Sequence, residues 1–157
     1  MPLLHVFDTD PGRDGRQSDR AMMVRRGTMR LLREMGFAAV PEVTLPSGRR
    51  ADLVALAGDG AIAIIEVKSS VADLRADGKW QDYRRYCDRF WFATCPEVVP
   101  HLPAGEGVIV SDGFDADVIT DAPFARMSAA TRRAVTLRVA QTAARRLHLF
   151  DDPGARL

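Results

Sequence analysis

Two apolar runs, RADLVALA (50–57) and AIAIIEVK (61–68), are separated only by Gly58-Asp59-Gly60, and this pair constrains the fold more than any other part of the chain. Each run has the length of a strand, and the triplet between them reads as a three-residue hairpin loop, a common class. Both runs are apolar enough to be covered on two sides. Pairing Ala57 with Ala61 fixes the register and brings Asp52 directly opposite Glu66. Cross-strand partners share a face, with Cβ atoms about 4.5–5.5 Å apart, and Lys68, two residues past Glu66, lies on that face too. Two facing carboxylates repel one another. An internal ion pair with Lys68 or Arg50 would offset the repulsion, and so would a divalent cation. Hard oxygen ligands suit Mg2+ or Mn2+, with water and a substrate phosphate filling the rest of the shell. Spacing alone leaves a structural salt-bridge cluster and a metal site both open, and a register slip of one residue would put the two acids on opposite faces.

The rest of the chain supplies an α/β context. Residues 1–19 are rich in Asp, Gly and Pro and read as a flexible arm. Residues 20–157 read as a single domain. Ser18 or Asp19 caps a helix over 20–35, with Val24, Thr28, Leu31, Leu32 and Met35 near helical spacing and Gly36 stopping it. A strand is expected at 40–45, a turn at 46–49, a loop or short helical turn after Lys68, a helix at 79–89 and a strand at 90–95. Residues 95–107 contain three prolines and read as irregular, two short strands follow at 107–112 and 116–122, and a last helix runs over 128–147. In that helix Ala130, Ala134, Leu137, Ala140, Ala144 and Leu147 form one apolar stripe, the face expected to meet the sheet. The order predicts a mixed β-sheet flanked by helices, an α/β sandwich.

Composition narrows the chemistry. Cys87 and Cys95 offer no disulfide framework and no CxxC pair, and His5, His101 and His148 are far apart, so neither a zinc site nor a Ser/His/Asp triad is suggested. No apolar run reaches the roughly 18–20 residues of a membrane helix, and the acidic start argues against a secretory signal. A cytoplasmic, reduced protein is expected. Of 22 basic residues only Lys68 and Lys79 are lysine. Lysine is a compact point charge with a tunable pKa, where arginine is a planar fork. Arginines crowd residues 1–50 and 121–157, whereas 95–120 hold acids and neither Lys nor Arg. That distribution suits a phosphate-facing surface beside a repelling one, or simply solvated helix faces. Arg49 and Arg50 adjoin the acid-bearing strand end, and Arg25, Arg26, Arg30 and Arg33 line the first helix. All are candidates for phosphate contact without base reading.

Asp52, then Glu66-Val67-Lys68 at the end of the next strand and a helix after it, resembles the PD-(D/E)xK nuclease superfamily. More specifically, GTMRLLREMGF, PEVTLPSGRRADLVAL, IIEVKSSVADLRADGKWQDYRRYCDRFWFAT and a C-terminal AAR resemble the MmcB-like family of bacterial DNA-repair proteins, over roughly residues 22–147. The resemblance implies a restriction-endonuclease-like sandwich and a Mg2+-dependent (or Mn2+-dependent) DNA endonuclease of repair. It implies that Asp52, Glu66 and the main-chain carbonyl of Val67 hold the metal, and that Lys68 orients or activates the attacking water. Glu42 resembles an additional acid, although a tight turn over 46–49 would pair it with Leu53 and put it on the face away from Asp52; Glu34 is a weaker rival. Lys79, Gln81 and Tyr83 open the helix after the site, where such proteins send a polar group towards phosphate, while Trp80, Tyr83, Arg84 and Cys87 could instead simply face the sheet. Ser69 and Ser70 read as caps, Asp73 and Asp77 as surface acids. The Ala51-Asp52 sequence departs from the proline that gives the motif its first letter. DNA is the implied partner, in a nucleoid-associated setting, with other repair proteins and a homodimer as further options. A catalytically inactive nuclease-fold module that binds nucleic acid is the alternative, and a domain in which Lys68 merely bridges the acids a third.

Overall fold

The structure, a computed structural model, describes residues 19–155. The elements are α1 (Asp19–Glu34), β1 (Phe37–Thr44), β2 (Arg50–Ala57), β3 (Ile62–Lys68), α2 (Val71–Ala76), β4 (Arg89–Thr94), β5 (Gly107–Ser111), β6 (Ala116–Thr120) and α3 (Ala129–Asp151), with 3-10 segments at Trp80–Tyr86 and Pro96–His101. Six strands form one sheet in the order β1-β2-β3-β4-β5-β6. β3, β4 and β5 run parallel, and every other neighbour pair is antiparallel. This is the mixed α/β architecture expected. The arm placed at 1–19 lies outside the described residues except for Asp19, which opens α1. Among the described residues no helix is long and apolar enough to cross a membrane.

Two like-built loops set the register of the first three strands. Ala57 donates its N–H to Ala61 and accepts from Gly60, while Leu45 donates to Arg49 and accepts from Gly48. Both are three-residue loops ending on a glycine in the left-handed region, Gly48 at φ 85° and Gly60 at φ 89°, the form that favours glycine at that position. The second loop gives the pairing Leu53–Ile65 and Leu56–Ile62, as expected from the sequence. The first corrects an expectation. Because the loop is Pro46-Ser47-Gly48 and not a four-residue turn, Pro41 rather than Glu42 pairs with Leu53, and Val43 pairs with Ala51. Glu42 therefore stands at the register position of Asp52, where the ladder lapses, with φ 51°.

Alternation sorts the sheet into two faces. Asp52, Val54, Ile64, Glu66 and Lys68 share one face with Phe90 and Phe92 of β4. The 3-10 segment packs there, Trp80 stacking on Phe90 at 5.7 Å and meeting Phe92 edge-on at 5.2 Å. Trp80, Tyr83 and Tyr86 recur at period three, which a 3-10 turn turns to one side and an α-helix would spread; this is why the helix expected over 79–89 is tighter and shorter. α1 covers the opposite face. A Cβ on its Gly27 would strike Ser111 of β5 and come within 2.8 Å of the Asp115 carbonyl. Ser111 shares a face with Ile109, which pairs with Ala93 and lies on the side of the sheet away from Glu66.

Asp88 ties the lower ends of three elements together. Its carboxylate accepts from the N–H of Ile62 (2.9 Å) and Met127 (3.1 Å) and takes both arms of Arg132 at 2.6 and 2.7 Å. Fourteen residues on, Arg146 donates to the carbonyls of Pro41 and Glu42. These two arginines set the rotation of α3. The face turned inward carries Val135 and Val139, so the stripe expected to meet the sheet is turned out: Leu137 is 52% and Leu147 63% exposed.

Candidate active site

The ladder between β2 and β3 ends at Leu53–Ile65, and beyond it side chains take over from backbone. The N–H of Asp52 donates to Glu66 Oε1 at 3.0 Å, and the N–H of Val67 donates to Asp52 Oδ2 at 2.9 Å. Each acid thus bonds the other strand's main chain, which holds both carboxyls at one place where the strands part. Asp52 is half-buried and Glu66 is 4% exposed. Burial first, then the charge of Asp52, pushes the Glu66 carboxyl up to about 9, and a side-chain hydrogen bond to Asp52 adds to the rise. Without a cation, burial and the neighbouring Asp52 thus favour the neutral form of Glu66.

Lys68 is 5% exposed, and its Nζ lies 2.7 Å from Asp77 Oδ2. Burial pulls the Lys68 pKa down, but the hydrogen bond and charge of Asp77, with Asp73 and Glu66 behind it, outweigh burial and leave it raised. Asp77 shows the converse: burial pushes its carboxyl up, and Lys68, the Lys79 N–H and Arg49 together hold it lower than usual. Asp77, read from sequence as a surface acid, is thus the partner of the buried ammonium. Asp73 likewise works locally, accepting from the Ser69 N–H at 3.1 Å while Ser70 Oγ accepts from the Asp73 N–H at 3.0 Å. The Ser70 bond is the N-cap of α2, and together with the bond from Ser69 to Asp73 it fixes the path of the chain just past Lys68.

Tyr83 closes the site from above. Its hydroxyl donates to the Arg50 carbonyl at 3.0 Å, and burial, followed by the charges of Glu66, Asp52 and Asp77, drives its pKa up. Tyr83 is therefore a neutral donor pinned to β2. Arg49 is paired with Asp82 at 3.0 Å on the surface. Lys79 caps the 3-10 segment with its N–H on Asp77 Oδ1 at 3.0 Å, and the side chains of Lys79 and Gln81 are exposed. Arg50, half-buried, precedes Asp52 on β2.

Glu42 borders the site, and the remaining candidates fall elsewhere. Glu42 shares the register of Asp52, yet the charge it bears on is Arg146, whose pKa burial lowers, with Glu42 opposing the shift and Arg50 and Arg25 adding to it. Glu42 is not among the groups that move Glu66. Glu34 ends α1 on the far face. The α1 arginines belong to that face too: Arg25 is 7% exposed, Arg26 Nε donates to the Gly113 carbonyl at 2.8 Å, and Arg30 to the Phe114 carbonyl at 3.1 Å. Arg26 and Arg30 fasten α1 to the β5–β6 turn instead of lining a surface beside the acids. Among the described residues no three His, Cys, Asp or Glu side chains gather as a metal cage. A two-carboxylate arrangement leaves most of a cation's shell to backbone, water and substrate, the usual manner of Mg2+.

The family profile described as DNA repair protein MmcB-like matches residues 8–154. A solved structure, the SPO1766 protein of unknown function from Silicibacter pomeroyi, is similar at 36% identity with a TM-score of 0.85, covering 90% of this chain and 98% of that one. A comparison with curated proteins finds no match.

Proposed function

The chain belongs to the MmcB-like family of DNA repair proteins, and on that premise we propose that it is a Mg2+-dependent (or Mn2+-dependent) DNA endonuclease of the PD-(D/E)xK kind. The observation that carries the reading is the reciprocal bonding of Asp52 and Glu66 across the parting strands, with buried Lys68 two residues on. The donor set fits a hard cation. Both carboxyls bring oxygen ligands, the Val67 carbonyl is the adjacent main-chain oxygen, and burial of Glu66 beside Asp52, which raises its pKa, marks where one more positive charge is wanted. When bound, such a cation clamps phosphate and makes nearby water more acidic.

The chain's own residues supply the rest. Asp52 and Glu66 hold the cation at the strand ends. Lys68 presents a fixed positive point that orients the attacking water and stabilises the charge building on the phosphate, and Asp77 keeps that ammonium in place and charged. Tyr83 braces the strand that carries Asp52. Arg49, Arg50, Lys79 and Gln81 border the site and suit contacts to DNA phosphates, which position a duplex without reading its sequence. Repair-linked or structure-selective cleavage agrees with such contacts.

The test is a panel of nicked, branched and single-stranded DNA with Mg2+ or Mn2+, beside Asp52→Ala. Metal-dependent cutting that disappears in Asp52→Ala supports the proposal. DNA binding with no cutting on any substrate replaces it with a non-catalytic nucleic-acid-binding module.

A further inference from the structure

The outward face of α3 has no counterpart in the site or the sheet, yet it is patterned. Arg133, Leu137, Ala140, Ala144, Leu147 and Asp151 follow one another at spacings of four, three, four, three and four, the repeat of a coiled-coil seam. All six are exposed. Val135, Val139 and the two anchoring arginines hold the other side of the helix to the protein, so the seam is exposed among the described residues.

The seam is complementary to itself when reversed. About Thr142, Leu137 and Leu147 are each five residues away, Ala140 and Ala144 two, Arg133 and Asp151 nine. Two copies of α3 laid antiparallel on a two-fold axis at Thr142 place leucine against leucine, alanine against alanine, and arginine against aspartate at both ends. Central alanines allow the close approach of two helix axes, near the lower end of the usual 8–10 Å. Positions flanking the seam, Ala134, Thr136, Gln141, Ala143, His148 and Phe150, include no Asp, Glu, Lys or Arg. A parallel pairing would instead set Arg133 on Arg133 and Asp151 on Asp151, and would align the two helix dipoles unfavourably.

We propose that this face is the interface of a homodimer, formed by α3 against α3 of a second copy, antiparallel and isologous. The seam from Arg133 to Asp151 is about 27 Å long at 1.5 Å per residue. That makes a contact at the small end of stable interfaces, so the dimer forms with rising concentration.

Sedimentation equilibrium from about 1 to 500 µM tests it; the whole-chain mass should rise from 17.3 kDa towards twice that value. Leu137→Glu/Leu147→Glu, which alters only exposed side chains, should hold the mass at one chain with an unchanged circular dichroism spectrum. Arg133→Glu alone and Asp151→Arg alone should each weaken self-association at least tenfold, whereas an equimolar mixture of the two should associate at least as tightly as the parent. In an antiparallel pair the mixture matches opposite charges at both ends. A single-chain mass across the whole range overturns the proposal. So does a dimer indifferent to the leucine changes, or a mixture that associates no better than its components.

Discussion

Glu66 is where stability and function pull apart. Its folded-state pKa of about 9 lies above the ordinary 4.5, so its contribution is fully present below about pH 4.5 and is lost as pH rises towards 9. Without metal, then, Glu66→Gln should stabilise the protein at pH 8, by on the order of 2 kcal/mol, and hardly at pH 4, while removing any metal-dependent cutting; thermal melts at the two pH values read the first effect. A Glu66→Gln protein less stable at pH 8 would refute the burial argument. Lys68→Arg should still bind DNA and cut poorly, because a planar fork cannot take the place of a compact ammonium; gel-shift and cleavage assays on the same variant separate the two effects. Asp77→Asn leaves Lys68 buried without its counter-charge and should cost roughly 2 kcal/mol in urea denaturation. The Asp52–Glu66 juxtaposition was legible in the sequence because Gly58-Asp59-Gly60 and two apolar runs admit little else. Asp77 was not, since its burial follows from a partner nine residues away whose own burial is a property of the whole sheet.

At the scale of elements, what the sequence concealed was rotation and register more than existence. The β1 register turned on one residue: counting Arg49 into the turn misplaced Glu42, whereas Gly48 in the left-handed region makes the loop three residues long. The inward face of α3 was hidden because alanine packs acceptably on either side, so an Ala/Leu stripe carries less weight than two arginines anchored to Asp88 and to the carbonyls of β1. Those anchors are long-range and leave no periodic mark. By contrast the period-three aromatics Trp80, Tyr83 and Tyr86 were visible, and only the assumption of an α-helix obscured what they meant. The α1–β5 approach gives a sharp prediction. Because a Cβ at Gly27 meets Ser111 and the Asp115 carbonyl, Gly27→Ala should lose about 1–3 kcal/mol through overpacking, despite alanine's better helix propensity. A chemical-denaturation midpoint equal to or above the parent's would mean α1 can lift from the sheet at no cost.

For the whole molecule, Asp88 is the joint that makes sheet and C-terminal helix one cooperative unit. It is 2% exposed. Burial works against its charge, but Arg132 and the N–H groups of Ile62 and Met127 outweigh burial and hold its carboxyl down at about 2. A lowered folded pKa gives stability that is present above the ordinary 3.8 and lost as pH falls towards 2, on the order of 2 kcal/mol. Asp88→Asn should therefore flatten the acid limb of the stability–pH curve between 4 and 2 and reduce stability at pH 7, measured by urea midpoints across that range; an unaltered acid limb would show that some other carboxylate governs acid unfolding. At the other extreme of the sheet, β6 is an outer strand with Asp117 exposed, Asp121 just beyond its end, and an irregular pairing at Val108/Ile109. Charge and a broken ladder on a terminal strand discourage a neighbour from zipping onto its free amides. Growth of an open-ended fibre is thus blocked on that side, and crowding the protein together should yield closed assemblies instead of endless ones.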